Sequence, residues 1–206
     1  MDAKLIVFEG IDGSGKTTIS RRLCAELKEL FPVVWLREPG DSLWGQKIRR
    51  LAQTGGEVSP QEQLHLFIED RKENVNLRIL PALAAGRTVI LDRYFYSTAC
   101  YQGARGLDMQ AILEENRRFA PEADLVILVD LDVDTALARI RAGRKATAPL
   151  FETRKFLQKV RANYLSLQGD HIHVVDGGKD EAGVYKEVLP LVQRLLGIAR
   201  PAGRRD

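Results

Sequence analysis

The stretch Gly10-Ile-Asp-Gly-Ser-Gly-Lys16-Thr17 follows the apolar run Leu5-Ile-Val-Phe8 and precedes a segment with Ile19, Leu23, Leu27 and Leu30 at helical spacing. It meets the pattern G-x-x-x-x-G-K-[ST] at every fixed position, and its setting gives that pattern physical meaning. A buried strand ends, glycines let the backbone turn, and a helix begins whose free N–H groups converge on one point. Those groups and the positive end of the helix dipole favour phosphate oxygens. Lys16 can then reach the terminal phosphates, and the Thr17 hydroxyl can ligate Mg²⁺. Gly10, Ile11, Asp12, Gly13, Ser14, Gly15, Lys16, Thr17 and Thr18 are thus expected to bind a nucleoside triphosphate. The bland alternative is a glycine-rich turn without a ligand, and it leaves the strand-loop-helix order unexplained.

The 206 residues suit one domain, 1–206, large enough to bury a proper core. Hydrophobic content of 45% and charged content of 29% are ordinary for a soluble globular protein. The net charge of +3 lies partly in the basic tail, 198–206, and its arginines stand singly among apolar and acidic residues. A nucleic-acid binder would gather more positive charge on one face. Small anionic ligands fit better. Cys24 and Cys100 lack metal-ligand spacing and suggest a reducing compartment. The chain enters a strand within four residues, so no signal peptide is expected, and no apolar stretch is long enough to span a bilayer. The expectation is a cytoplasmic protein without a membrane partner.

Runs rich in β-branched residues predict strands at 4–9, 33–37, 88–92, 124–130 and 171–175. Helical patterns fall at 16–30, 43–53, 60–85, 108–118, 133–142, 153–168 and 180–196. Such alternation implies an α/β fold, a parallel sheet with helices on both faces. Every polar cluster follows a strand: Gly10–Thr17, Arg37–Ser42, Asp92–Tyr94, Asp130–Asp134 and Asp176–Asp180. Ligands of such sheets bind beyond the carboxyl ends of the strands, so these clusters should surround one cleft. Ser59-Pro60-Gln61-Glu62 reads as a capping box with Pro at the first helical position. Pro81 should kink or end that helix. The segment 143–152, mixing Arg, Lys, Ala, Thr and Pro, reads as a mobile lid.

With the loop stand Arg37-Glu-Pro-Gly40, Phe67-x-x-x-Arg71, Leu91-Asp-Arg-Tyr94 and Ser97-Thr-Ala-Cys-Tyr-Gln-Gly103. Together these resemble the thymidylate kinases, within the nucleoside monophosphate kinases, from the first strand to about Gly197. The loop alone is shared by many families; its combination with the other motifs is specific. The resemblance implies a P-loop NTPase three-layer fold with a five-stranded parallel sheet, ATP as donor, dTMP as acceptor, Mg²⁺, and a homodimer packed through helices. Apolar faces on 60–85 and 108–118 permit that dimer.

Asp92, ending an apolar strand, suits the carboxylate that holds the Mg²⁺ hydration shell; a turn residue is the alternative. Arg93 is implied to face the acceptor phosphate, where a planar fork meets two oxygens. Arg37 is a second candidate for that phosphate, or else a solvated strand end. Phe67 and Arg71, four apart on one helix face, are implied to stack on thymine and contact its carbonyl oxygen. A core Phe beside a surface Arg is the plainer reading. Ser97 and Thr98 are placed with the acceptor, Thr98 at its base edge. Tyr101 is implied to fill the space of a ribose 2′-hydroxyl, Asp12 to accept the sugar 3′-hydroxyl, and Gln102 to lie near the acceptor. Val174–Lys179 resembles the loop lining adenine, with Arg139 over the ring by cation–π contact.

The match breaks at two places. One branch of the family carries a basic residue where this chain has Gly13. The other branch uses a lid arginine within an Asp-Arg-x-Glu cluster, which Thr147–Glu152 lacks. Arg141, Arg144 and Lys145 remain; Arg144 is the favoured catalytic cation, and a solvated basic turn is the alternative. Asp41 also stands where a second glycine is usual. The expected activity is Mg²⁺-dependent in-line transfer from ATP to dTMP. A kinase of another nucleoside monophosphate and a catalytically weakened nucleotide-binding protein are its rivals.

Overall fold

The computed structural model describes residues 2–56, 58–143 and 154–198. The expected lid beyond Gly143, with Arg144 and Lys145, and the tail from residue 199 lie outside them. Five strands form one parallel sheet: β1 (Leu5–Glu9), β2 (Val33–Arg37), β3 (Thr88–Asp92), β4 (Leu125–Asp130) and β5 (Ile172–Asp176). Their order is β2-β3-β1-β4-β5. The chain builds first on one side of β1 and then on the other. The crevice of such a sheet opens at that reversal, beyond the carboxyl end of β1. The glycine-rich loop begins there.

β1 and β3 are buried along their whole length, which is why they read as unbroken apolar runs. Strand alternation sends Ile6 and Phe8 toward α1 (Lys16–Lys28) and α9 (Glu181–Leu196), where they pack with Ile19, Leu23, Val188 and Val192. Leu5 and Val7 enter the opposite layer with Val89, Leu91, Phe95 and Ile112. A third cluster joins Ile11, Leu128, Leu137, Leu157 and Tyr164, tying α7 (Val133–Gly143) to α8 (Arg154–Leu165).

The remaining helices are α2 (Leu43–Thr54), α3 (Pro60–Asn74), α4 (Leu80–Ala84), α5 (Phe95–Ala104) and α6 (Met109–Arg117). The Ser59–Glu62 capping box is formed in both directions. The expected helix over 60–85 is interrupted at Val75–Ile79 by a π turn, in which the Leu80 N–H bonds the Val75 carbonyl. Pro81 gives the physical reason. Its ring would crowd the carbonyl four residues back in a regular α-helix, and the wider turn relieves the clash.

Helix α5 is absent from the helical patterns of the sequence. Phe95–Ala104 holds aromatic, β-branched and hydroxyl residues with Gly103, a poor helix-forming set, and seven of its ten residues are buried. Tertiary packing overrides local preference there.

Candidate active site

The loop after β1 has the backbone that its glycines permit. Gly10, Gly13 and Gly15 have φ of 140°, 83° and 94°. A Cβ on Gly10 would lie 2.5 Å from the Val129 carbonyl oxygen, and one on Gly13 would lie 2.6 Å from that of Ala136. Neither position tolerates a side chain, so the basic residue of one family branch has no room at Gly13 in this backbone. Lys16 opens α1 and folds back over the loop, its Nζ 3.3 Å from the Ile11 carbonyl oxygen and 3.9 Å from Asp12 Oδ1. Burial lowers its pKa from the usual lysine value, and the charge of Arg93 lowers it further.

Thr17 Oγ1 donates to Asp92 Oδ2 at 2.6 Å. The other oxygen, Asp92 Oδ1, is buried and accepts no hydrogen bond. A hydroxyl beside a half-satisfied carboxylate fits Mg²⁺, which takes one or two protein oxygens and completes its shell with water and substrate phosphates. Among the described residues no cluster of three or more His, Cys, Asp or Glu could hold a metal alone.

Across the loop stands Arg93, with a φ of 69° that is rare outside glycine. Its backbone N–H bonds the Phe8 carbonyl, stitching the end of β3 to β1. The guanidinium donates to Asp12 Oδ1 at 2.7 Å and to Ser97 Oγ at 3.1 Å, with its Cζ 5.2 Å from the centre of the Tyr101 ring. Lys16 and Arg93 therefore converge on the same Asp12 oxygen. A cleft of about 1070 Å³ opens beside them, lined by Phe67, Arg71, Thr98, Tyr101 and Gln102 among others. That is at the upper end of the roughly 300–1,000 Å³ typical of ligand pockets.

Arg71 departs from the plain reading of a surface residue. It is 1% exposed, and Glu38, Asn116 and Thr98 hold its guanidinium. Phe67 is half-buried on the cleft wall. Gln102 donates to Gln63 at 2.7 Å, while its Oε1 is buried without a hydrogen-bond partner. Arg37 is exposed at the end of β2, beside Asp92 in strand register but outside the cleft lining. Arg139 donates to the Gly177 carbonyl at 3.0 Å, which joins α7 to the loop after β5. Arg141 is exposed on α7.

Several residues of the site carried no readable role in the sequence. Glu9, fully buried at the end of β1, accepts from the Tyr94 and Ser97 backbone N–H groups and the Tyr164 hydroxyl, with a further short bond from Ser97 Oγ. It thereby caps α5 from another element. Burial pushes its carboxyl above the usual range, while Ser97 and the Arg93 charge pull it back. A charged residue closing an apolar strand was the one available signal. Asp70 holds the turn after Arg37 by accepting from the Gly40 N–H and the Ser42 hydroxyl. Asp41, unexpected at its position, points outward and pairs with Arg49 and Arg78, each at 3.5 Å.

The family model for thymidylate kinase matches residues 8–188. A probable thymidylate kinase of Archaeoglobus fulgidus is 41% identical over 95% of this chain and 98% of its own length. A thymidylate kinase of Xanthomonas oryzae is 45% identical over 96% of this chain and 88% of its own, and one of Xanthomonas campestris is 45% identical over 93% and 84%. With its loop, its paired cations and its cleft assembled at the carboxyl end of one parallel sheet, this chain belongs to the thymidylate kinase family.

Proposed function

We propose that this enzyme transfers the terminal phosphoryl group of ATP to the 5′-phosphate of dTMP, giving ADP and dTDP, in one in-line step. The observation that carries this reading is the meeting of Lys16 and Arg93 at Asp12, with the cleft on the Arg93 side. Phosphoryl transfer asks the protein chiefly for positioning and charge neutralisation. Loop amides and Lys16 would hold the donor phosphates. Arg93, with Arg37 at the end of β2, would hold the acceptor phosphate, which replaces the Asp12 carboxylate on the guanidinium. Freed from that pairing, Asp12 accepts the sugar hydroxyl. Thr17 and Asp92 would hold Mg²⁺, whose charge screens the phosphate oxygens when it is bound. Phe67 stacks on the base, and Arg71, Thr98 and Gln102 meet its polar edge. Tyr101 fills the space a ribose 2′-hydroxyl would need.

The test is a panel of dTMP, dUMP, dCMP, dGMP and thymidine with ATP and Mg²⁺. dTMP should give the highest kcat/KM; equal use of a purine monophosphate would defeat the assignment. A homodimer belongs to the same reading. The large exposed apolar side chains near the α2–α3 layer are Leu43, Trp44, Leu77 and Leu80. The Arg78–Asp41 ion pair draws the π turn toward the start of α2, which favours one continuous patch. The face expected on 108–118 does not contribute, because Ile112 and Leu113 are buried in the protein's own core. No helix among the described residues is long and apolar enough to cross a membrane.

A further inference from the structure

Arg71 is fixed by residues that cannot all touch a nucleotide. Its Nε donates to Glu38 Oε2 at 2.8 Å, and Nη2 lies 2.6 Å from the same oxygen. Nη2 also donates to Thr98 Oγ1 at 3.0 Å, and Nη1 donates to Asn116 Oδ1 at 2.7 Å. The supports are themselves supported. Asn74 Nδ2 donates to Glu38 Oε1 at 3.1 Å, and Asn116 Nδ2 donates to the Ile112 carbonyl at 2.7 Å. The Asn116 amide has one orientation only: a guanidinium offers donors alone and a carbonyl accepts alone. Asn116 is fully buried on α6 and lies outside the cleft lining, whereas Arg71 is part of it.

We propose that Asn116, together with Glu38, is a positioning residue that locks Arg71 and thereby makes the cleft select pyrimidines with a carbonyl oxygen over those with an amino group at that edge. The inference rests on the acceptor-site reading above. A free arginine on a helix could swing away from a base that presents N–H groups. A guanidinium clamped by three partners cannot. An amino group brought to it sets donor against donor, and both stay unsatisfied in a buried site. A carbonyl oxygen completes the guanidinium. Selectivity then lies in the immobility of Arg71 as much as in its identity, and Asn116 supplies that immobility without meeting the substrate.

The experiment compares dUMP with dCMP, which both lack the 5-methyl group, in wild type, Asn116→Leu and Asn116→Asp. Aspartate keeps the acceptor for Arg71 and gives up the hydrogen bond to the Ile112 carbonyl; leucine removes both. In the leucine variant the dUMP:dCMP ratio of kcat/KM should fall at least about tenfold, since such discrimination comes from unpaired buried groups. KM for dTMP should rise while KM for ATP stays put, and the aspartate variant should lose less of the ratio than the leucine variant. An unchanged ratio in the leucine variant, or equal losses in both variants, would overturn the proposal. Should the leucine variant fail to fold, hydrogen exchange at the Arg71 Nη1 protons, which meet Asn116, decides instead in the ligand-free wild type. Slow exchange supports the lock, and exchange as fast as at an exposed arginine removes it. A wild type that prefers dCMP or a purine would count against the acceptor reading itself.

Discussion

Lys16 is a cation kept out of water beside another cation, with the Asp12 carboxylate between them, and a phosphate would add to that countercharge. Burial and Arg93 both hold its pKa below the usual 10.5. Bound phosphate acts in the opposite direction and raises it. Between the free and bound values, below the ordinary lysine range, ATP binding should therefore take up protons. Calorimetry of ATP binding across that range, in buffers of different ionisation enthalpy, should show the uptake; a heat independent of buffer at every pH would contradict it. Lys16→Ala should abolish the uptake and lower turnover by at least about 10²-fold, the loss usual for one preorganised charge donor. At the other wall, Phe67→Ala should raise KM for dTMP several-fold more than KM for ATP. Equal rises would make Phe67 a packing residue. Lys16 and Thr17 were legible from spacing alone, because a helix start dictates where they sit. The surroundings of Arg71 were not: its partners Glu38 and Asn116 lie 33 and 45 residues away in sequence, and i, i+4 spacing says only which helix face it occupies.

Elements position these side chains through a few close approaches. Helix α2 meets the turn after Arg37 at Gly45, where an added Cβ would overlap the Gly40 carbonyl oxygen and lie 2.7 Å from Asp70 Oδ1. Asp70 already holds the Gly40 N–H and the Ser42 hydroxyl, and Ser42 caps α2 by accepting from Gly45. Backbone, cap and buried carboxylate form one unit with no slack. Gly45→Ala should accordingly destabilise the protein by about 1–3 kcal/mol, the range for overpacking, and raise KM for dTMP through the displaced turn. Denaturant unfolding and acceptor kinetics measure the two effects. Unchanged stability would mean that the turn yields more easily than its hydrogen bonds suggest. Strands were read from the sequence to within a residue or so: the buried β1, β3 and β4 leave continuous apolar runs, and the more exposed edge strands β2 and β5 are still marked by their valines and isoleucine. Helix α5 was missed for the converse reason: its amphipathic signal disappears when nearly every face is covered.

At the scale of the whole molecule, the expectation that each polar cluster follows a strand is met by a sheet whose strands all point one way, so the clusters share its carboxyl end. A surface for a second copy is less legible, because apolar periodicity does not separate a face buried within the chain from one left for a partner. Helix α6 spends its apolar residues on its own core, while Leu77 is 67% exposed on the π turn and Leu43 is 80% exposed at the start of α2. Exposed apolar patches of this kind mark association surfaces, and a two-fold dimer is the commonest way to cover one. Leu77→Glu should therefore convert a dimer into a monomer in sedimentation velocity without lowering the stability of the isolated subunit. Leu30, equally exposed but past the end of α1 on the opposite face of the sheet, supplies the control: Leu30→Glu should leave the dimer intact. The interface is refuted if the wild type sediments as a monomer at micromolar concentration. It is misplaced if Leu30→Glu dissociates the dimer and Leu77→Glu does not.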